Sequence, residues 1–248
     1  MFRLAMIACL AVMLFSGYKL FTIIREYRRG TQAYHDIAKM AGATPIQQEG
    51  EPTRLSIDWD KLNEQGSGVK GWIRLRDTNI NYPIVQGPDN DYYLRRIYTG
   101  EYNFKGSIFI DYRIGHPFET FNTIVYGHRM NDNSMFDLLG KYFTEADYLS
   151  KHPVIEIYTP EKSYDMMIFG ALSVNALDSQ IYRCDWESAG DEEKQALLDR
   201  IQGNNELLSY DGSIDVTTAD SLVMLSTCTY TPGDDRIVVF GKLVEVGA

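Results

Sequence analysis

The chain has 248 residues, 44% of them hydrophobic and 23% charged, with a formal net charge of -10. That length holds one large domain or two small ones, and the composition excludes collagen-like, low-complexity and disordered classes. Three cysteines are too few for a disulfide-stapled scaffold, and the acidic balance argues against a nucleic-acid binder, which needs a basic face.

Charge is unevenly placed. Residues 1–30 carry Arg3, Lys19, Arg25, Arg28 and Arg29 against Glu26 alone, so a basic, apolar leader precedes an acidic body. Residues 4–24 (LAMIACLAVMLFSGYKLFTII) contain one charge, Lys19. About 20 apolar residues cross a bilayer core as a helix, and a lysine near one end can snorkel to the interface. Two readings stand, an uncleaved signal anchor and a cleaved signal peptide. The length of the run and the lack of an A-x-A-like site favour the anchor. Residues 1–24 are therefore read as a transmembrane anchor. Basic residues are denser after the span than before it, which by charge counting leaves the C-terminal side in the cytoplasm.

Residues 25–54 read as a helical stalk and linker. REYRRGTQAYHDIAKMA (25–41) continues as a helix, and GATPIQQEGEPT (42–53) is rich in Gly, Pro and Gln. The body, 55–248, opens with a short helix at 58–64 for which Ser56 is the expected cap, stopped at Gly66-Ser67-Gly68. Eight runs rich in Val, Ile, Tyr and Phe follow, at 69–74, 80–85, 107–110, 123–126, 154–158, 164–174, 222–226 and 237–246. Short strands at this density favour a closed or nearly closed barrel. Helical patterns interrupt them at 91–96, 136–141 and 191–208. The last has acids in its first turn and an apolar stripe at Ala196, Leu197, Ile201 and Leu208. It lies in a long excursion between two strands, where substrate-shaping loops are found.

Two segments carry candidate chemistry. In SLVMLSTCTYTPGDDRIVVFGKLVE (221–245) a strand ends at Cys228, a turn-rich stretch follows at 229–235, and a second strand starts at Arg236. As an antiparallel hairpin these strands set Cys228 and Arg236 opposite each other. A thiol beside a guanidinium suits a nucleophile whose anionic intermediates need stabilising, although buried structural cysteines are also common. In NTIVYGHRM (122–130), His128 follows a strand end, a position suited to acid–base work near neutral pH. His35, His116 and His152 read as surface or turn positions. Cys9 lies in the apolar span; Cys184 fits either a free thiol or a partner for Cys228. No paired-ligand spacing supports zinc, and nucleotide and serine-hydrolase signatures are absent, so neither metal nor cofactor is expected.

Together, Leu225-Ser226-Thr227-Cys228, Arg236 eight residues on, and His128 after Val125-Tyr126-Gly127 resemble the sortases, membrane-anchored cysteine transpeptidases of Gram-positive bacteria. GWIRLRDTNINYPIVQG (71–87), DYYLRRIYTGEYNFKGSIFIDYR (91–113) and NTIVYGHRMNDNSMF (122–136) look like the class B subgroup, as does the helical insertion before the cysteine strand. The resemblance covers about residues 55–246. It implies a mainly β fold with helical additions: an eight-stranded barrel, N-terminal helices and a helix inserted before the cysteine strand. It also implies a reaction. The Cys228 thiolate attacks the Thr carbonyl of a C-terminal sorting motif, LPxTG-like or NPxTN-like. His128 moves protons, Arg236 holds the oxyanion, and a thioester is resolved by an amine. By the same resemblance Ser226 and Thr227 lie beside the oxyanion site, and Asn90 and Leu94 line the groove. Tyr182 is a candidate wall, although Leu94 and Tyr182 also fit ordinary packing positions. Met224, where the family often has Thr, is expected to flank the site. The implied partners are sorting-signal-bearing surface proteins or pilins, a lipid II or peptidoglycan amine acceptor, and the membrane through the N-terminal helix. The implied location is the cell membrane, single-pass, with the catalytic domain outside, opposite to the charge count. A pilin-polymerising sortase using a pilin lysine and a cysteine hydrolase with the same dyad are the alternatives.

Overall fold

In the computed structural model, residues 2–43, 54–66, 68–228 and 234–247 are described, with the backbone alone at Cys228. Among them are eight strands, β1 (Val69–Arg74), β2 (Asn81–Gln86), β3 (Ile108–Ile110), β4 (Asn122–Tyr126), β5 (Val154–Tyr158), β6 (Ser163–Asn175), β7 (Leu222–Cys228) and β8 (Asp235–Val246). They close into a barrel in the order β1-β2-β3-β4-β7-β8-β6-β5, with β5 pairing back onto β1. Closure removes the unpaired edges of so many short strands. The interior is filled by aliphatic and aromatic side chains, including Trp72, Ile84, Ile110, Ile124, Leu225 and Phe240.

Two neighbouring pairs are parallel, β2 with β3 and β4 with β7. Parallel neighbours cannot be joined by a hairpin and need a crossover. Residues 87–107 and 127–221 are those crossovers. The second holds β5, β6 and three helices, α3 (Lys141–Thr144), α4 (Tyr148–Lys151) and α5 (Asp191–Gly203). Helix α5 packs on β6 at Gly170, where a Cβ would lie 2.4 Å from Ile201.

The predicted helices are trimmed. Residues 92–95 and 137–140 form single 3-10 turns, the second running into α3. Helix α5 stops at Gly203, and its buried stripe is Leu197, Leu198 and Ile201, with Ala196 exposed and Leu208 beyond the end. The chain breaks off there because Asn205 Oδ1 accepts from the backbone of Ala171 and Leu207, tying it to β6. Helix α2 (Trp59–Gln65) is capped by Asp58 rather than Ser56; the Asp58 carboxylate accepts from Lys61 N at 3.1 Å.

At the N-terminus, α1 (Phe2–Met40) is one continuous helix whose first half is apolar and exposed. Its second half lies on the barrel. Gly30, Tyr34, Ile37 and Ala38 are buried, and the Tyr34 hydroxyl donates to the Gly106 carbonyl at 2.5 Å. The expected linker lies outside the described residues at 44–53.

Candidate active site

The β4–β7 ladder sets the rim of the site. Parallel strands carry their C-terminal ends to the same side, and here Tyr126 pairs with Ser226. His128 and Cys228 each stand two residues past that pair. Gly127 extends the ladder by donating its N–H to the Ser226 carbonyl at 3.1 Å. Only glycine fits there, since a Cβ would come within 2.5 Å of the Phe136 ring and 2.6 Å of Ile108. On the other side of β7, Cys228 pairs with Arg236 at the start of β8. The hairpin read from the sequence is therefore present, with most of its turn (229–233) and the Cys228 side chain outside the described residues.

A cleft of about 750 Å³ opens at this rim. His128, Arg236, Ser226, Thr227, Asn90, Leu94 and Tyr182 all line it, so the fold collects every site residue named from the sequence whose side chain is described. The His128 Nε2 is 2.6 Å from the Leu94 carbonyl. A carbonyl only accepts, so Nε2 carries the proton in this contact and Nδ1 keeps its lone pair. Burial lowers the His128 pKa below the usual histidine value; the Leu94 hydrogen bond opposes that shift and Arg95 adds to it. The imidazole is therefore neutral at pH 7. Thr227 is 2% exposed, and its Oγ1 has no hydrogen-bond partner among the described residues. A buried hydroxyl on the cysteine strand, unpartnered among the described residues, is a ready donor to an incoming oxygen.

A matching domain model and close relatives accompany this geometry. The model described as the sortase domain matches residues 73–244. The chain belongs to the sortase family. It is 31% identical to a Staphylococcus aureus sortase B over 97% of this chain and 95% of that one. It is 35% identical to a Listeria monocytogenes sortase B over 95% of this chain and 93% of that one. Among solved structures, a Bacillus anthracis sortase B in complex with AAEK1 superposes with a TM-score of 0.74 at 34% identity, covering 90% of this chain and all of that one. The protein is thus a sortase B-type cysteine transpeptidase, and its eight-stranded barrel is the sortase barrel.

Within this sortase the walls of the cleft come from the two crossovers. The 3-10 turn at 92–95 presents Leu94, 36% exposed, while its carbonyl holds His128. Tyr182 stacks on Tyr126 with ring centroids 6.2 Å apart, and its hydroxyl lies 2.9 Å from Ser226 Oγ. The segment carrying Tyr182 is braced by the Arg200–Asp178 ion pair between α5 and the β6–α5 loop. Asn90 lines the cleft, but its amide is engaged inward, donating to Asp111 and accepting from Tyr112 N.

Some features of the cleft had no sequence signal. Asp111 is fully buried beneath it, where its carboxylate accepts from the Arg113 guanidinium at 2.7 and 2.9 Å, from Asn90 at 3.0 Å and from Tyr126 OH at 2.9 Å. Burial opposes its ionisation, yet these bonds prevail and hold its pKa below the usual carboxylate value. Cys184 also lines the cleft as a free thiol. Burial, reinforced by the Asp111 charge, pushes its pKa up to about 12, so it favours the protonated thiol at neutral pH. Met224 is fully buried against the interior and is not a cleft residue, contrary to the expectation that it flanks the site. Among the described residues no group of three His, Cys, Asp or Glu side chains is arranged to hold a metal ion.

Proposed function

We propose that Cys228, His128 and Arg236 carry the transpeptidation, with Ser226, Thr227, Asn90, Leu94 and Tyr182 forming the peptide groove. The observation that carries this reading is the register: Tyr126 pairs with Ser226, and Cys228 pairs with Arg236. The register brings the Cys228 backbone next to Arg236, on the same rim as His128 and a peptide-sized cleft, which supports this assignment. The substrate is a C-terminal sorting motif, LPxTG-like or NPxTN-like, on a surface protein. The Cys228 thiolate adds to the Thr carbonyl, and the oxyanion that forms is held by Arg236 and the Thr227 hydroxyl. One such donor contributes about 3 kcal/mol to the transition state. His128, protonated as the thiol ionises, gives its proton to the departing amine as the C–N bond breaks, leaving a thioester. An incoming amine of a cell-wall precursor then loses a proton to His128 and displaces the thiolate.

The apolar first half of α1 supports a single membrane span. The catalytic domain then faces outward, because its acceptor is outside the membrane; the basic residues after the span are the one feature opposing this orientation.

The reading is tested with a fluorogenic sorting-motif peptide and an added amine. The native enzyme is expected to release the leaving peptide and to form the amide in proportion to amine, while Cys228→Ala releases none. Cleavage retained in Cys228→Ala overturns the assignment of the nucleophile. Free acid as the sole product at saturating amine makes the enzyme a hydrolase, and the assignment of the acceptor then fails.

A further inference from the structure

The proposed chemistry leaves one buried charge unused. Lys105 is 1% exposed, yet it lies outside the cleft, between α1 and the loop that follows His128. Burying an ammonium is costly unless all its protons are bonded. Here all three find partners. Nζ donates to Asp132 Oδ2 at 2.6 Å, to Ser134 Oγ at 3.0 Å and to Thr31 Oγ1 on α1 at 2.9 Å. It also lies 5.3 Å from the centre of the Tyr27 ring of the same helix.

The loop so held is short and closed. The His128 carbonyl accepts from Phe136 N at 2.9 Å, and Arg129 forms a bridge pair with Met135. Asn133 and Met135 both have φ near 57°, a left-handed backbone that costs non-glycine residues energy and persists only when tied down. The ties are few. Asp132 caps Ser134 N within the loop, Met135 N donates to Tyr82 OH at 3.1 Å, and Lys105 reaches Asp132 and Ser134. Tyr82 in turn packs edge-to-face on Tyr34 of α1. The Lys105 tie leads straight to the N-terminal helix and the Tyr82 tie reaches it through β2, and His128 stands at the base of the loop they help to hold.

We propose that Lys105 is a positioning residue for the reaction: its buried ammonium fastens the His128 loop to α1, so that seating of the N-terminal helix fixes the imidazole at the rim. The proposal rests on the reading of His128 as the proton carrier. The neighbouring segment strengthens the same link. Asn103 accepts from Lys105 N and donates to the Glu26 carbonyl, and Phe104 packs edge-to-face on Tyr27.

The test combines kinetics with the imidazole ¹⁵N spectrum of the full chain. Lys105→Met keeps the stem and removes the charge. It is expected to lower kcat about tenfold with KM within about twofold, as a misplaced catalytic group does. The His128 resonances, identified by their loss in His128→Gln, are expected to move from a fixed Nε2–H tautomer toward an average of the two. Thr31→Val and Asp132→Asn, at more exposed partners, should show the same two changes at smaller size. Native kcat and a native His128 spectrum in folded Lys105→Met overturn the proposal. So does a fall in kcat that follows only the loss of folded protein, with the spectrum unmoved. If Lys105→Met does not fold, native behaviour in both Thr31→Val and Asp132→Asn overturns it. Cleavage retained by His128→Gln defeats the reading of His128 instead, while the spectral change in Lys105→Met still tests the tether by itself.

Discussion

Asp111 and Glu156 are carboxylates buried in two different arcs of the same barrel, 0% and 1% exposed, and each is met by arginine. Glu156 on β5 accepts from Arg76 and from Tyr158 OH, and lies 3.4 Å from Arg74 of β1. None of these partners touches the cleft. Asp111, just past β3, accepts from Arg113, Asn90 and Tyr126, and all three of those line it. The same physical device, a desolvated anion neutralised by hydrogen-bonded cations and hydroxyls, stitches strands together in one place and shapes a floor in the other. Burial and saturation alone do not distinguish structural from functional carboxylates; what their partners face does.

The sharpest way to break that comparison is to remove each anion. Loss of one partner of a buried ionic cluster costs about 3 kcal/mol, since the remaining donors lose their acceptor. Asp111→Ala and Glu156→Ala are both expected to destabilise the fold on that scale, read by urea unfolding. Their kinetics should part. Asp111→Ala frees Asn90, Tyr126 and Arg113 at once and should lower kcat/KM for the sorting peptide about tenfold or more, whereas Glu156→Ala, assayed well below its melting point, should stay within about twofold. Equal kinetic losses would remove the distinction.

A smaller perturbation isolates one spoke of the Asp111 cluster. Tyr126→Phe keeps the ring that stacks on Tyr182 and deletes only the hydroxyl that donates to Asp111. A hydrogen bond to a charged group contributes about 1.5–3 kcal/mol, and the lost stability should fall at the low end because Arg113 and Asn90 still hold the carboxylate. Cleavage should be nearly native. A large kinetic loss would mean that the phenol itself works in the groove.

The sequence disclosed these parts unequally, for physical reasons. The strands were legible because each is a short β-branched and aromatic run between turn residues. The rim was legible because Cys228 and Arg236 flank one hairpin and His128 follows a strand end. Both signals are local. The Asp111 cluster joins residues 90, 111, 113 and 126 across a parallel crossover, and only Asp111 and Arg113 are neighbours in the chain. Lys105 is equally silent, because its partners at 31, 132 and 134 come from segments brought together only when α1 docks. The docking itself left a trace. Tyr34, Ile37, Ala38 and Ala41 recur at helical spacing and are buried on the barrel, where the sequence reading has a helical stalk.

The finest contrast lies in acid. Asp111 is held below the usual carboxylate pKa, so in the unfolded chain, where an aspartate titrates near about 3.9, it binds its proton first as pH falls. Its contribution to stability is therefore complete above the unfolded value and is lost as pH drops through the folded one. Asp111→Asn keeps the shape and removes the titration. The difference in urea midpoint between native and Asp111→Asn protein should be widest at pH 5 to 6 and should shrink steadily toward pH 3. Tyr126→Phe should show the same convergence with a smaller starting gap, because the bond it removes acts through the ionised form of Asp111. A midpoint difference that stayed constant across that range would mean that Asp111 holds its partners by shape and hydrogen bonding alone. The cleft floor would then rest on packing, as the interior of the barrel does, and not on a buried charge.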